Sequence, residues 1–364
     1  MPLEHVDTPA LIVDLEVFEA NLEAMAAFGE RAGIFLRPHA KTHKCAVIAM
    51  RQVARGAIGV CTQKVSEAEA MVMGGVSDVY VSNEIVGTRK LEHLAALARQ
   101  ARMSLCVDHP DQIAAASAAA VKYKTELGVR VEINTGGNRC GVEPGQPAVD
   151  LAQRIARSPG LRFEGLQAYF GRAQHIEDHG ERRAAALAGI EKAKATQAAL
   201  AASKLACTYI GGAGTGTYEW EGESGVYNEL QVGSYLFMDV AYGKNRDAQD
   251  NPVSDYRQSL FVYSTVMSRP QPNRAVFDAG VKAVSLDAGP PRLWGEDDVE
   301  YVRGGDEHCS FVYKNPNRTP ALGDKLMLVP GHCDPTVNFY DWYVGVREGR
   351  VEALWPITAR GALL

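Results

Sequence analysis

The sequence predicts an α/β fold, a TIM-type (β/α)8 barrel joined to a mostly β C-terminal domain. Three observations predict it. From residue 33 onward, short β-rich runs alternate with longer stretches rich in Ala, Leu, Glu and Lys. Eight β-rich runs precede residue 250, and glycine-rich or chemically reactive segments follow several of them. After residue 250 the strand-like runs are separated by Pro, Gly and Asn turns with few helical patterns.

The eight predicted barrel strands lie where β-branched, aromatic and other apolar residues cluster. They are Gly33–His39, Ala57–Gln63, Asp78–Asn83, Ser104–Asp108, Gly128–Asn134, Phe163–Phe170, Cys207–Gly211 and Glu229–Ser234. Helices are predicted between them at Ser66–Gly74, Arg89–Arg102, Gln112–Lys122, Ala148–Arg157 and Ile176–Ala202. Eight βα repeats indicate a closed barrel, and an open doubly wound sheet is the competing arrangement.

Both ends of the chain are predicted to form the second domain. The run Thr8–Val13 precedes a helix, Leu15–Ala32, in which Phe18 and Leu22 share one face and Asp14 is the N-cap. Further strands are predicted at Ser259–Met267, Lys325–Val329 and Asp341–Val346. We therefore assign residues 21–250 to the barrel and residues 1–20 and 251–364 to the β domain.

Composition excludes several classes of partner. The formal net charge of −6 and the lack of a Lys/Arg-rich run argue against nucleic acid. The sequence has no run of about 18 uninterrupted apolar residues, and its N-terminus lacks a basic region followed by an apolar core. We therefore expect a cytoplasmic protein with no membrane partner. The seven cysteines lie mostly in apolar, strand-like runs and are predicted to be reduced packing residues.

A lysine stands at the end of the first predicted barrel strand, within the segment Arg37-Pro38-His39-Ala40-Lys41-Thr42-His43-Lys44. An amine at the mouth of a strand suits imine formation with a carbonyl compound, provided that neighbouring cations or burial lower its pKa. Arg37, His39, His43 and Lys44 are the candidates for those cations. A basic turn with no chemical role is the alternative interpretation.

Glycine-rich segments follow the seventh and eighth predicted strands, where barrels of this type frequently bind phosphate. Glycine lets the backbone approach a ligand closely, and hydroxyl groups donate to phosphate oxygens. Ordinary turns also use glycine, so the prediction depends on the position in the strand count. The candidate residues are Gly212, Gly214, Thr215, Gly233, Ser234 and Tyr235.

The fifth and sixth predicted strands also end in reactive side chains. Arg139 follows the fifth strand in a glycine-rich turn and suits a phenolate or carboxylate partner. Tyr169 ends the sixth strand and His175 follows it, which places an aromatic ring and an imidazole at the same rim. A solvated arginine and structural tyrosine or histidine residues are the alternatives for each residue taken alone.

The β domain contains one candidate metal site, in the segment Pro330–Thr336. If this segment is extended, His332 and Asp334 point to one side and Cys333 to the other. Imidazole and carboxylate donors favour Mn²⁺, Mg²⁺ or Co²⁺ over a zinc ion that requires thiolates. Two protein ligands leave coordination positions for water or substrate, although such a pair also arises by chance.

Together these clusters resemble one known family, the D-threonine aldolase and D-serine dehydratase group of fold-type III, pyridoxal phosphate-dependent enzymes related to alanine racemase. The resemblance covers essentially the whole chain. It is carried by Thr8–Leu11 with Asp14 and Asn21, and by the segments Arg37–Lys44, Thr135–Gly141, Gly211–Thr215 and His332–Asn338.

The resemblance implies a role for each candidate side chain. Lys41 carries the imine with pyridoxal phosphate, Arg139 meets the phenolate oxygen of the cofactor, and Tyr169 contacts its pyridine ring. His175 is the acid/base group near the substrate hydroxyl. The cofactor phosphate is held by the loops that contain Gly212, Gly214, Thr215, Gly233, Ser234 and Tyr235.

The resemblance also implies a metal and a quaternary structure. His332 and Asp334 hold the divalent ion, with Mn²⁺ favoured and Mg²⁺, Co²⁺ or Zn²⁺ as alternatives. Family members pair as homodimers in which each β domain faces the barrel mouth of the other subunit.

The implied reaction is retro-aldol cleavage of D-3-hydroxy-α-amino acids, such as D-threonine, to glycine and an aldehyde by a carbon–carbon lyase. Within the family, dehydratases usually present His-x-Cys to the metal and D-threonine aldolases present His-x-Asp. Here Asp334 follows His332 by two residues and Cys333 is out of register, which favours the aldolase. Dehydration of D-serine or D-3-hydroxyaspartate is the competing reaction, and a non-catalytic carrier of pyridoxal phosphate is a third reading.

Overall fold

The structure, a computed structural model, describes the backbone of residues 1–364 and every side chain except that of Arg303. Among the described helices, none is long and apolar enough to cross a membrane. The helices are α1 (Leu15–Ala32), α2 (Ala46–Val53), α3 (Val65–Met73), α4 (Thr88–Leu97), α5 (Pro110–Tyr123), α6 (Gln146–Arg157), α7 (His179–Ala202), α8 (Tyr218–Gly222) and α9 (Cys333–Val337).

The first nine strands contain the barrel. They are β1 (Ala10–Asp14), β2 (Phe35–Leu36), β3 (Val60–Thr62), β4 (Asp78–Glu84), β5 (Arg102–Val107), β6 (Leu127–Glu132), β7 (Leu161–Ala168), β8 (Tyr209–Gly212) and β9 (Glu229–Leu230). The C-terminal strands are β10 (Leu260–Gln271), β11 (Arg274–Phe277), β12 (Arg292–Leu293), β13 (Val299–Gly304), β14 (Cys309–Tyr313), β15 (Lys325–Val329), β16 (Trp342–Arg347) and β17 (Arg350–Pro356).

Strands β2 to β9 form a parallel sheet in the order β2-β9-β8-β7-β6-β5-β4-β3. The ring closes where the chain after β2 pairs with β3, because Cys61 donates its backbone N–H to Pro38 O at 2.8 Å and accepts from Ala40 N–H at 2.8 Å. Each of the eight predicted strands overlaps one of these strands. The predicted TIM-type barrel is therefore confirmed, and the closure excludes an open doubly wound sheet.

The second sheet has the order β13-β14-β11-β10-β1-β16-β17, and β15 pairs with both β10 and β12. Strand β1 enters this sheet between β10 and β16, antiparallel to the first and parallel to the second. Helix α1 follows directly, and Asp14 caps it by accepting the Val17 N–H at 3.1 Å. The predicted domain boundary between residues 20 and 21 lies within this helix.

The barrel interior contains a buried network of charges below the C-terminal rim. Glu229 of β9 accepts from Arg37 Nε at 2.8 Å and from Arg130 Nη2 at 2.9 Å, and all three side chains are buried. Gly211 makes room for the network, since a Cβ there would lie 2.6 Å from Glu229 Oε1. The network extends toward the C-terminal rim through Gln231, which donates to Glu229 at 3.0 Å and to Gln167 at 2.9 Å.

We expect Glu229→Ala to destabilise the fold by about 3–5 kcal/mol, because it leaves two buried guanidinium groups without their shared carboxylate. Chemical denaturation monitored by circular dichroism measures the loss. Glu191→Ala, on the exposed surface of α7, serves as the control and should leave the midpoint unchanged. A Glu229→Ala midpoint equal to that of the control would contradict this account of the network.

The same carboxylate predicts a pH dependence. Burial alone would raise the pKa of Glu229, but Arg130 and Arg37 lower it to about 2 from an ordinary value of 4.5. Because the folded-state pKa is depressed, the stabilisation is complete above the unfolded value and is lost as the pH falls toward 2. We expect the unfolding free energy of the wild type to fall more steeply below pH 4.5 than that of Glu229→Gln; parallel curves would contradict this.

Candidate active site

Lys41 lies in the turn that follows β2, at the rim formed by the C-terminal ends of the barrel strands. Its ammonium group is 3.0 Å from Asp334 Oδ2, and its side chain is 39% exposed. Asp334 belongs to the first turn of α9 in the β domain. The contact therefore joins the two parts of the chain at the predicted site.

The prediction that neighbouring cations lower the pKa of Lys41 is wrong. Arg37 is paired with Glu229 and Asp78, and Lys44 is paired with Glu67 at 2.6 Å. Burial lowers the pKa of His39 well below its ordinary value and that of His43 to about 4, so both rings are neutral at pH 7. Asp334 instead raises the pKa of Lys41, because its carboxylate stabilises the ammonium form.

A cavity opens at this rim and collects six of the predicted residues. The backbone packs closely against side chains at two of its edges: a Cβ at position 214 would lie 2.5 Å from Gln174 Oε1, and one at position 233 would lie 2.4 Å from Thr42 Oγ1. The predicted residues that line the cavity are Lys41, Arg139, Tyr169, Gly214, Gly233 and Ser234. The cavity is thus lined by an amine, a guanidinium group, hydroxyl groups and two glycines. This set of groups fits a phosphorylated carbonyl cofactor.

Three predicted cofactor residues lie outside this cavity. Gly212 packs within β8, where a Cβ would lie 2.4 Å from Ala168 O. The Thr215 side chain lines a neighbouring cavity, and its hydroxyl has no hydrogen-bond partner. The Tyr235 ring is buried, and its hydroxyl accepts from Gln52 Nε2 at 3.1 Å. The loops are where the sequence predicts them, but these three residues do not line the cavity.

Arg139 and Tyr169 form one wall of the cavity. The guanidinium carbon of Arg139 lies 5.5 Å from the centre of the Tyr169 ring, and Arg139 Nη2 lies 3.6 Å from Glu132 Oε1. Burial raises the pKa of Glu132 to about 8, and the nearby Glu84 carboxylate adds to this shift. Burial also raises the pKa of Tyr169, so the wall presents a neutral phenol and a cation.

His332 and Asp334 lie together, although the predicted geometry is wrong. The segment is not extended, because His332 is the N-cap of α9 and Asp334 lies in its first turn. His332 Nε2 is 3.9 Å from Asp334 Oδ1. One ion at the usual ligand distance of about 2.1 Å can reach both atoms. Among the described side chains these two do not join a third His, Cys, Asp or Glu in a compact group, in keeping with a site that keeps open positions.

Asp287 is a site residue that the sequence patterns did not reveal. Its Oδ2 lies 2.9 Å from His332 Nδ1, and Ser285 Oγ donates to its other oxygen at 2.8 Å. A carboxylate on Nδ1 orients the ring and leaves Nε2 directed toward Asp334. Asp287 lies 45 residues before His332, and no local spacing pattern in the sequence connects them.

His175 ends a 3₁₀-helix, Gly171–His175, that follows β7. Its ring packs on Tyr242 with the centroids 4.7 Å apart, and Tyr242 also lines the cavity. Burial lowers the pKa of His175, and the charges of His332 and Lys41 lower it further. The imidazole is therefore predominantly neutral at pH 7 and able to accept a proton.

Comparison with known proteins gives a consistent result. The sequence matches the family described as "Alanine racemase, N-terminal domain" over residues 13–241 and a serine dehydratase domain over residues 259–346. It is 45% identical over 365 residues to 3-hydroxy-D-aspartate aldolase of Paracoccus denitrificans (strain Pd 1222) and 46% identical over 360 residues to D-threonine aldolase of an Arthrobacter species. Each alignment covers 99% of this chain and 94% of the relative.

Among solved structures, D-threonine aldolase from Filomicrobium marinum superposes with a TM-score of 0.98 at 49% sequence identity. The superposition covers 100% of this chain and 98% of the other.

We expect Asp287→Ala to weaken Mn²⁺ binding by about ten- to a hundred-fold, because it removes the group that orients the imidazole of His332. Isothermal titration calorimetry on the cofactor-loaded protein measures the affinity. Asp297→Ala, an exposed aspartate of the same domain, is the control and should bind Mn²⁺ as the wild type does. Unchanged affinity in Asp287→Ala would show that His332 is not a ligand oriented in this way.

Proposed function

This chain belongs to the alanine racemase-like family that includes D-threonine aldolases and 3-hydroxy-D-aspartate aldolases, and we propose that it cleaves D-3-hydroxy-α-amino acids to glycine and an aldehyde. It is a carbon–carbon lyase. One observation supports the proposal most directly: Lys41, which lines the cavity, contacts Asp334 of the β domain at 3.0 Å, and Asp334 lies 3.9 Å from His332. The Lys41 amine, which can bind a carbonyl compound, therefore lies beside the proposed metal ligands His332 and Asp334. An amino acid with a 3-hydroxyl group could contact the cofactor on Lys41 and the metal ion at the same time.

The family uses pyridoxal phosphate, and the lining of the cavity supports a place for it. Lys41 would hold the cofactor through its amine, with Arg139 and Tyr169 along the ring and the phosphate at Gly214, Gly233 and Ser234. Gly212, Thr215 and Tyr235 would act as supports of these loops. Bound there, the cofactor supplies an electron sink for the carbanion formed when the Cα–Cβ bond breaks.

The side chains of the chain itself supply binding and proton transfer. His332 and Asp334 would hold the divalent ion, and their hard donor set favours Mn²⁺, with Mg²⁺, Co²⁺ or Zn²⁺ as alternatives. An imidazole nitrogen of His175 would accept the proton of the substrate 3-hydroxyl, because its lowered pKa keeps the ring neutral. Tyr242 would hold that ring in place by packing against it.

We also propose the organisation of the working enzyme. Residues 21–250 would form the cofactor-binding barrel, and residues 1–20 and 251–364 would form the β domain that carries the metal pair. The active form would be a homodimer, as the resemblance implies. All seven cysteines are free thiols, which supports a location in the reducing cytoplasm.

The proposed function is tested by incubating the cofactor-loaded protein with D-threonine and Mn²⁺ and identifying the products by mass spectrometry. Glycine with acetaldehyde is the expected result. If 2-oxobutanoate and ammonia appear instead, the enzyme is a dehydratase whose metal site uses aspartate.

Lys41→Ala should abolish the imine absorbance of the cofactor-loaded protein, because no other amine lines the cavity among the described residues. Lys44→Met is the matched control: its amine is committed to Glu67, so the absorbance should persist. Absorbance spectra in the near-ultraviolet and visible range distinguish the two variants. Retention of the imine band in Lys41→Ala would refute the assignment.

Asp334→Ala should remove both metal dependence and cleavage, because only one protein ligand would remain at the ion. Activity is measured with and without chelator. Full activity of this variant in chelator would show that the ion is held elsewhere or is not required.

A further inference from the structure

A second cavity adjoins the first one at Arg139 and Tyr169. Both residues line this cavity as well as the first one. Its volume is about 360 Å³, enough for a ligand group with several waters. Arg172, from the 3₁₀-helix after β7, also lines it. The second cavity is therefore a side chamber of the candidate active site.

The side chamber favours an anion. It contains two guanidinium groups, those of Arg139 and Arg172, and one carboxyl group, that of Glu132. Burial and the nearby Glu84 carboxylate raise the pKa of Glu132 to about 8, so Glu132 is mostly protonated at pH 7 and the two guanidinium groups outnumber the carboxylates. The buried hydroxyl of Thr135 lines the same chamber and has no hydrogen-bond partner.

The geometry of its short helix places Arg172 on the same helix face as His175, the proposed proton acceptor. In a 3₁₀-helix, side chains three residues apart are eclipsed, so Arg172 projects from the same face as His175. Gly171 brings this helix close to the wall, since a Cβ there would lie 3.1 Å from Tyr169 Cε1. Among the described side chains, Arg172 forms no ion pair, and its guanidinium group is exposed.

We propose that Arg172 is a specificity-determining residue that binds a carboxylate carried on C3 of the substrate. The inference rests on the proposed function, in which His175 takes the proton of the 3-hydroxyl group. A group attached to the same carbon as that hydroxyl would lie near the face that Arg172 shares with His175. A guanidinium group binds a carboxylate through two parallel hydrogen bonds, and Arg172 retains its donors for such a partner. The preferred substrate is then a 3-hydroxyaspartate of D configuration, cleaved to glycine and glyoxylate.

The experiment compares kcat/KM for D-3-hydroxyaspartate and for D-threonine in the metal- and cofactor-loaded enzyme. Both substrates carry the α-carboxylate, so the ratio isolates the carboxylate on C3. Arg172→Met should lower kcat/KM for 3-hydroxyaspartate at least tenfold more than for D-threonine. Arg172→Lys should recover part of the loss, because it keeps the charge without the planar fork.

Two controls separate recognition from general damage. Arg183→Met removes an exposed arginine from the nearby first turn of α7 and should leave the ratio of the two kcat/KM values unchanged. Competitive inhibition gives a binding readout that involves no cleavage: Arg172→Met should raise the inhibition constant of D-aspartate about tenfold more than that of D-2-aminobutanoate, which lacks the second carboxylate.

The outcomes distinguish this inference from the function on which it rests. An equal loss for both substrates, or a wild type that cleaves D-threonine and not 3-hydroxyaspartate, overturns the role of Arg172 and leaves the aldolase proposal standing. A wild type that cleaves neither substrate overturns the proposed function and the inference with it.

Discussion

The barrel and its site depend on the buried ion pairs that the Glu229 carboxylate forms with two arginines. The carboxylate binds Arg37 and Arg130, and so connects β9 with the chain after β2 and with β6. A buried charge is tolerated only when its partners are in place, so these three segments have one arrangement. Gln231 extends the network to the floor of the cavity. The position of the site therefore depends on ion pairs inside the barrel as well as on the hydrogen bonds between strands.

The candidate active site lies where the barrel meets the β domain. The barrel contributes Lys41, and the β domain contributes Asp334 and His332. Tyr343 of β16 donates to His43 O at 2.7 Å, and Ala359 N–H donates to Lys44 O at 2.9 Å, both directly after the lysine turn. These contacts hold the turn against the β domain. They therefore help to define the separation between Lys41 and the His332/Asp334 pair.

Electrostatics at this interface follow from burial. The imidazole rings of His39, His43 and His175 are neutral because burial penalises the charged form. Lys41 keeps its charge because Asp334 is beside it. The site thus presents the Lys41 ammonium in contact with the Asp334 carboxylate, together with the Arg139 guanidinium in the cavity wall and the neutral His39 ring. This distribution suits a substrate that brings its own carboxylate and hydroxyl groups.

The sequence by itself determined the eight strands, the capped helix α1 and the rim at which the reactive segments meet. These follow from local periodicity and from the rule that the C-terminal ends of barrel strands share one face. Only the tertiary structure decided that Asp287 contacts His332, that Thr215 and Tyr235 lie outside the cavity lining, and that Arg37 forms an ion pair with Glu229. The contacts and charge pairing of a side chain depend on residues that are distant in the sequence, and a local sequence pattern does not predict which residues these are.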